Sequence, residues 1–263
     1  MFREVTEGLY WLQEDYVARV GDDTPDWHDV DKDLHSPVNA YLLVADQTLL
    51  FDTLTPARTA ETLEAIEEIL NGRSLDYVVP SHGEAPHAGS TNALTEAYPE
   101  TTVLAAAEGD LHEVYFLEKA TRVHANTRLD LGGMEVEFIK APFIDTGMHT
   151  WLFEHSTRTL FSVDWVAFPH DETECLTFAD EMDRPDEEIA QMLWLSNGHI
   201  FPWFEHVDTG FTEAIIDNIQ SRVNPEIIAP AHGQVIRKNA GHYVDLMREV
   251  MAEHASGRMP RLV

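Results

Sequence analysis

Three short apolar runs of this 263-residue chain each end in an imidazole or a carboxylate. Residues 76–80 lead into His82, residues 160–163 lead into Asp164, and residues 227–231 lead into His232. Short apolar runs bounded by polar turns are typical of buried strands. Because open α/β folds collect their sites at the carboxyl ends of strands, the pattern favours such a fold and makes these side chains candidate site residues.

The rest of the chain alternates strands with helices. Residues 38–44 and 48–51 predict a β-hairpin, because two apolar runs flank a short polar turn. Apolar residues at helical spacing predict a helix within 55–72 that stops at Gly72. The same order of elements then repeats: a strand at 76–80, a helix at 91–97, strands at 102–105 and 135–139, a hairpin of 150–153 with 159–163, helices at 186–195 and 212–223, and a strand at 227–229. Two such α/β halves facing each other predict a four-layer αββα sandwich, one domain over residues 1–263.

Charge and composition exclude several classes of function. The formal net charge of −30 repels phosphate, which argues against nucleic acid and anionic membranes as partners. Such an acidic chain is typical of proteins from high intracellular salt, or of a surface kept soluble by like charge. No secretory signal or membrane span is evident, so we expect a soluble cytoplasmic protein. The only cysteine, Cys175, has no activating base beside it in sequence, and we expect it to be inert.

The densest polar cluster is His82, Glu84 and His87, placed after the predicted strand at 76–80. On a loop these three side chains can converge on one point, and imidazole with carboxylate suits iron, zinc or manganese. Taken singly, Asp164 could cap a turn and His232 could pack at a strand end. Taken together with the cluster, they indicate a metal site.

These segments resemble the metallo-β-lactamase fold and, within it, the oxygen-binding diiron domain of flavodiiron proteins. That family carries His-x-Glu-x-Asp-His where most relatives of the fold carry His-x-His-x-Asp-His, and this chain has Glu84 at the discriminating position. The resemblance extends along nearly the whole chain, but only over that domain, and no flavodoxin-like segment follows. Other matching stretches are 7–11, 39–43, 160–164 and 230–233 with Ile236 and Arg237.

The resemblance implies that His82 and Glu84 bind one iron, that His87 and His232 bind the other, and that Asp164 bridges them. Two family ligands are replaced by residues that cannot coordinate a metal, namely Pro86 for an Asp and Phe143 for a His. Three outcomes follow. Asp145 or His149 replaces the lost His, or the site holds one metal or two loosely bound ones, or it is a relic whose polar residues bond one another.

Two further histidines are candidates for a role near the metals. His28 resembles a histidine that lies close to the diiron site in the family, and a surface position in an acidic loop is the alternative. His170 follows Asp164 closely enough in sequence to approach the same site.

The resemblance implies a non-haem iron protein that binds or reduces O2 or NO. We expect no attached flavin segment, so turnover would need a separate electron donor, and without one the protein would bind or sense O2. The alternative is a zinc- or iron-dependent hydrolase of esters or thioesters, in which a metal-bound water attacks the substrate. A third hypothesis is a non-catalytic domain with a decayed ligand set.

Overall fold

The computed structural model describes residues 1–18, 34–109 and 119–256. The described strands are, in chain order, β1 (Phe2–Thr6), β2 (Leu9–Glu14), β3 (Val17–Ala18), β4 (Leu34–His35), β5 (Val38–Val44), β6 (Thr48–Phe51), β7 (Tyr77–Val79), β8 (Thr102–Ala106), β9 (Thr121–Val123), β10 (Arg128–Asp130), β11 (Glu135–Lys140), β12 (Thr150–Glu154), β13 (Thr159–Val163), β14 (His170–Asp171) and β15 (Ile227–Pro230). The α-helices are α1 (Thr59–Leu70), α2 (Ala85–Ala88), α3 (Thr91–Ala97), α4 (Asp186–Ile200), α5 (Thr209–Arg222) and α6 (Ala240–Ser256). Short 3₁₀ helices lie at Pro56–Arg58, Glu172–Glu174, Ala179–Glu181 and Pro202–His206.

The chain forms two compact units that do not follow sequence order. The first comprises Met1–Glu14 and Val38–Thr157, and the second comprises Asp15–Pro37 and Arg158–Val263. The second unit therefore combines a segment from the amino-terminal part of the chain with the carboxyl-terminal part. The prediction of a single domain over residues 1–263 stays a prediction.

The first unit is built on a seven-stranded sheet of order β1-β2-β5-β6-β7-β8-β9. The hairpin of β5 and β6 is confirmed, with Tyr41 opposite Phe51. From β6 onward the strands pair in parallel, so their carboxyl ends lie at one edge of the sheet. The α1 helix packs its buried residues, among them Ile66 and Leu70, on a core that includes Leu42 and Leu50.

The α1 helix ends where the sequence indicated. Asn71 adopts a left-handed conformation (φ 50°), and its N–H donates to the carbonyl of Glu67. Gly72 follows, also at positive φ, as is common after a helix carboxyl terminus. Asn and Gly are the residues that enter this backbone region at least cost.

The second unit contains the parallel pair β13 and β15, in which Val163 lies opposite Pro230. Three helices, α4, α5 and α6, belong to it, and α6 packs on both α4 and α5. The sequence pattern did not predict α6. A small sheet of order β14-β4-β3 also lies in this unit, and its two-residue strands are too short to produce a periodic sequence pattern.

No helix among residues 1–18, 34–109 and 119–256 is long and apolar enough to cross a bilayer.

A buried carboxylate organises the turn after β12. The carboxylate of Glu154, which is 1 % exposed, accepts hydrogen bonds from the backbone N–H groups of Ser156 and Thr157, both at 2.8 Å, and from both hydroxyls. Burial raises the pKa of Glu154, but these hydrogen bonds outweigh burial and the pKa lies below its ordinary value. The carboxylate therefore stabilises the fold in its ionised form.

We expect Glu154→Gln to lower the free energy of unfolding by about 1–3 kcal/mol at neutral pH, because an amide N–H₂ then faces donors. This loss of stability should be largest above the unfolded-state pKa of about 4.3, and it should disappear as the pH falls through the lower folded-state pKa. Denaturant titration at several pH values measures it. The exposed Glu64→Gln is the control, and an equal effect of the two substitutions would contradict the assignment.

Candidate metal centre

The polar segment after β7 carries three of the predicted ligands in the first unit. Residues 81–84 form an irregular turn after the strand, and His87 then lies in the short helix α2, with Pro86 in its first turn. The expectation of a loop is therefore right for His82 and Glu84 and wrong for His87. Proline suits the first turn of a helix, where its missing N–H would have no intrahelical partner.

The imidazole of His87 is fixed by Asp52, which follows β6. Asp52 Oδ2 lies 2.9 Å from His87 Nδ1, and Asp52 Oδ1 accepts the backbone N–H of Ser81 at 2.8 Å. Both side chains of the pair are 1 % exposed. An ionised carboxylate only accepts, so His87 donates Nδ1–H to it and keeps Nε2 for another partner. This is the arrangement by which carboxylates orient metal-binding histidines.

His82 lies in a cluster of imidazoles and carboxylates in the same unit. It is fully buried, its ring centroid lies 3.9 Å from that of His87, and it stacks on His149 at 4.5 Å. His82 Nε2 lies 4.0 Å from Glu84 Oε2. One ligand atom from each of His82, Glu84 and Asp145 lies within 4.8 Å of the other two. These three side chains are therefore close enough to share one ion.

Two residues that the sequence left as alternatives lie in this cluster. Asp145 Oδ1 is 3.3 Å from His149 Nδ1, and the His149 side chain is 1 % exposed. Phe143, which stands at the position of a family ligand, is fully buried, with its ring centroid 6.4 Å from that of Trp151. Phe143 is therefore a core residue, whereas Asp145 and His149 carry the polar atoms of this segment.

In the second unit the parallel pairing of β13 and β15 brings Asp164 and His232 together. His232 Nε2 lies 3.2 Å from Asp164 Oδ1, and Asp164 is 3 % exposed. His232 Nδ1 lies 2.8 Å from the carbonyl oxygen of Pro37, which only accepts, so the ring donates Nδ1–H there. The Nε2 edge of His232 therefore faces the carboxylate.

Strained backbone accompanies both residue sets. Val163, directly before Asp164, has φ 54°, and Asp52 has φ 60°. A β-branched residue rarely adopts a positive φ, and such conformations cost about 1–3 kcal/mol. Strain of this size persists where the surrounding structure holds it, and it clusters at functional sites. Backbone strain thus distinguishes the ends of β6 and β13 independently of the chemistry of their side chains.

The remaining predicted site residues are His28 and His170. His28 lies outside the described residues. His170 is fully buried in β14, and burial together with the neighbouring His35 lowers its pKa to about 3. Among the described residues, the possible metal ligands close to His170 are His35 and Cys175, and not Asp164 or His232. The role of His170 near the predicted metals stays a prediction.

Cys175 is not isolated from bases, contrary to the expectation from its sequence neighbours. Its Sγ lies 3.2 Å from His35 Nδ1 and 3.4 Å from His170 Nε2. His35 stands 140 positions away in the chain, so no local motif signals the contact.

Sequence reasoning also missed the residues that orient the candidate ligands. Asp52 follows the apolar run of β6 as Asp164 follows β13, and this shared position was the available signal. Ser81 Oγ lies 3.1 Å from His82 Nδ1 and 3.3 Å from His87 Nδ1, but a serine beside a histidine carries no specific signal.

The fold and these residues define an α/β protein whose strand ends carry histidines and carboxylates arranged as candidate metal ligands. Residues 35–187 match the family described as the Metallo-beta-lactamase superfamily. The chain belongs to that superfamily, and the predicted α/β metallo-β-lactamase fold is confirmed.

Relatives and solved structures narrow the resemblance to flavodiiron proteins, as the sequence motifs indicated. The chain is 27 % identical over 254 residues to "Nitric oxide reductase" of Moorella thermoacetica and 32 % identical over 227 residues to "Flavo-diiron protein FprA2" of Clostridium acetobutylicum. The alignments cover 92 % and 81 % of this chain, and 59 % and 54 % of those relatives. The chain thus spans little more than half the length of these two relatives.

Two solved structures show the same fold. Rubredoxin oxygen:oxidoreductase of Desulfovibrio gigas superposes with a TM-score of 0.72 at 21 % identity, over 97 % of this chain and 61 % of that one. A fragment of putative diflavin flavoprotein A 5 from Nostoc superposes with a TM-score of 0.70 at 16 % identity, over 97 % of both chains.

We expect Asp52→Asn to weaken metal binding about 10–100-fold. Asparagine tolerates the left-handed backbone and can still accept the N–H of Ser81, but its amide N–H₂ would face His87 and move the imidazole proton to Nε2. Competition titration against a chromophoric chelator measures the change. The exposed Asp183→Asn is the control, and unchanged affinity in Asp52→Asn would show that His87 does not bind metal through Nε2.

Proposed function

We propose that this protein is a non-haem iron protein that binds or reduces O2 or NO, with His82, Glu84, His87, Asp164 and His232 as iron ligands. One observation carries the proposal. His87 and His232 each donate Nδ1–H to an oxygen acceptor, so each keeps Nε2, the nitrogen with which a metal would be bound. His87 is buried and His232 is partly buried. Histidines oriented in this way by their second ring nitrogen are typical of metal ligands.

The chemistry of the donors supports iron. Imidazole nitrogens with the carboxylates Glu84 and Asp164 form a borderline-to-hard set that suits iron, and the set contains no sulfur. The relatives named nitric oxide reductase and flavo-diiron protein support the same assignment. Iron held there would supply the redox chemistry with which O2 or NO is bound or reduced. Reduction consumes electrons, which we propose come from a separate electron donor.

We propose that the ligand set is modified, as the resemblance implies, and that Asp145 takes the place of the histidine for which Phe143 stands. Asp145 offers an oxygen within 4.8 Å of the ligand atoms of His82 and Glu84. This carboxylate lies next to His149, with Asp145 Oδ1 3.3 Å from His149 Nδ1. Replacing a neutral imidazole by a carboxylate adds one negative charge, which offsets the carboxylate lost at Pro86. The total charge that the ligands present to iron is then the same as in the family pattern.

Metal analysis tests the proposal. Protein purified at high salt without added metal should contain about one to two iron ions per chain and show an absorption band that responds to O2 or NO. Far less than one equivalent of any metal would refute the proposal and favour a non-catalytic domain.

Asp164→Ala should reduce the bound iron to less than about a tenth of that in the unaltered protein, because a buried ligand is removed. Asp164→Asn, which keeps the volume of the side chain, separates loss of the ligand from loss of the fold, and circular dichroism verifies the fold. Asp183→Ala is the matched control. Unchanged iron in both Asp164 variants would overturn the assignment.

A metal-dependent hydrolase of esters or thioesters is the second candidate. Phe143 and Pro86 remove two protein ligands, which leaves coordination positions for water and substrate. A metal lowers the pKa of bound water and so supplies a nucleophile at neutral pH. Zinc as the bound metal, together with ester or thioester turnover that Asp164→Asn abolishes, would favour this function over the first.

A further inference from the structure

A second cluster of metal-ligating atoms lies in the small sheet of the second unit. It consists of His35, His170 and Cys175, each of which offers one ligand atom within 4.8 Å of the other two. Cys175 Sγ lies 3.2 Å from the first nitrogen and 3.4 Å from the second. We call these three residues the His₂Cys cluster. None of them belongs to the ligand set proposed for iron.

Backbone pairing places the two imidazoles on one side of the sheet. His35 in β4 and His170 in β14 are direct cross-strand partners, and residues that face each other across an antiparallel pair project to the same side. Their ring centroids are 5.8 Å apart in an edge-on arrangement. Cys175 returns to them after the short helix Glu172–Glu174, which follows β14 directly.

The segment between His170 and Cys175 is held by a network of ion pairs. Arg184, whose side chain is 10 % exposed, donates to Asp171 at 2.8 Å and to both carboxylate oxygens of Glu174, at 2.7 and 2.8 Å. Glu174 also accepts the backbone N–H of Asp171 at 2.9 Å. The carboxylates raise the pKa of Arg184, against the effect of its burial, so the guanidinium stays charged. The positions of His170 and Cys175 are therefore set before any ligand binds.

His170 itself lacks the partners that a buried imidazole requires. The residue is fully buried, and its Nδ1 has no hydrogen-bond partner among residues 1–18, 34–109 and 119–256. Its Nε2 faces sulfur, which takes part only in weak hydrogen bonds. Burying a polar ring with such partners is unfavourable, and a cation bound at Nε2 would compensate for it.

The separations fit a zinc ion. In a tetrahedral site with Zn–N near 2.0 Å and Zn–S near 2.3 Å, nitrogen and sulfur ligands stand about 3.5 Å apart. The two nitrogen-to-sulfur distances of the cluster lie close to this value. Three protein ligands leave a fourth position for water, and Cys175 is partly exposed, so an ion can enter from solvent.

We propose that His35, His170 and Cys175 bind one Zn²⁺ ion, separately from the iron site. On binding, the thiol of Cys175 releases its proton to solvent and forms the Zn–S bond, with no change in oxidation state. Because His35 and His170 are far apart in sequence, the ion closes a long loop of chain and stabilises the small sheet. The sulfur ligand favours zinc here, whereas the ligands proposed for iron contain none.

Cobalt(II) substitution tests this site without interference from the first. The chain has a single cysteine, so a thiolate-to-cobalt charge-transfer band can arise only at Cys175. We expect the protein, titrated anaerobically with Co²⁺, to develop this band with the visible bands of tetrahedral cobalt, and added Zn²⁺ to abolish both. Zn²⁺ should also protect Cys175 from alkylation and raise the melting temperature in a concentration-dependent manner.

Variants separate the cluster from other cobalt sites. Cys175→Ser should abolish the charge-transfer band, and His35→Ala and His170→Ala should each weaken cobalt binding more than about 100-fold. The exposed His206→Ala is the control, and Asp164→Asn should leave the band unchanged. No band in the unaltered protein, or a band of full affinity in both histidine variants, would overturn the proposal. The band reports neither iron content nor turnover, so the result stands apart from the proposed function.

Discussion

Two hydrogen bonds fix the imidazole tautomers of two candidate ligands, one in each unit. His87 donates Nδ1–H to a buried carboxylate, and His232 donates it to a main-chain carbonyl. A neutral imidazole has one lone pair, so each bond decides which nitrogen can bind a metal. The acceptors are supplied by Asp52 and Pro37, at positions where the chain leaves or enters a strand. The orientation of the candidate ligands is thus a property of the sheets and follows from their pairing.

The two candidate sites of the chain differ in donor chemistry. The set that contains Glu84 and Asp164 offers nitrogen and oxygen, and the His₂Cys cluster offers nitrogen and sulfur. Softness of the ligand separates metals that have similar affinity for imidazole. The two proposed ligand sets therefore differ in the metal that their donor atoms favour.

The two residues that the resemblance places at family ligand positions fit their local structure. Pro86 occupies the first turn of a helix, and Phe143 is buried in the core, so both residues are accommodated by their local structure. Superfamily membership therefore establishes the fold, whereas the side chains at the strand ends decide which metal is bound and which reaction follows.

The sequence alone determined the hairpin of β5 and β6 and the strand ends that carry His82, Asp164 and His232, because periodicity and polar strand ends are local properties. It did not determine that His87 lies in a helix, since four residues around a proline carry no periodic signal. It also gave no sign of the His₂Cys cluster. Cys175 meets His35, which is 140 positions away, only because the two-residue strands β4 and β14 pair, and such pairing is decided by tertiary packing.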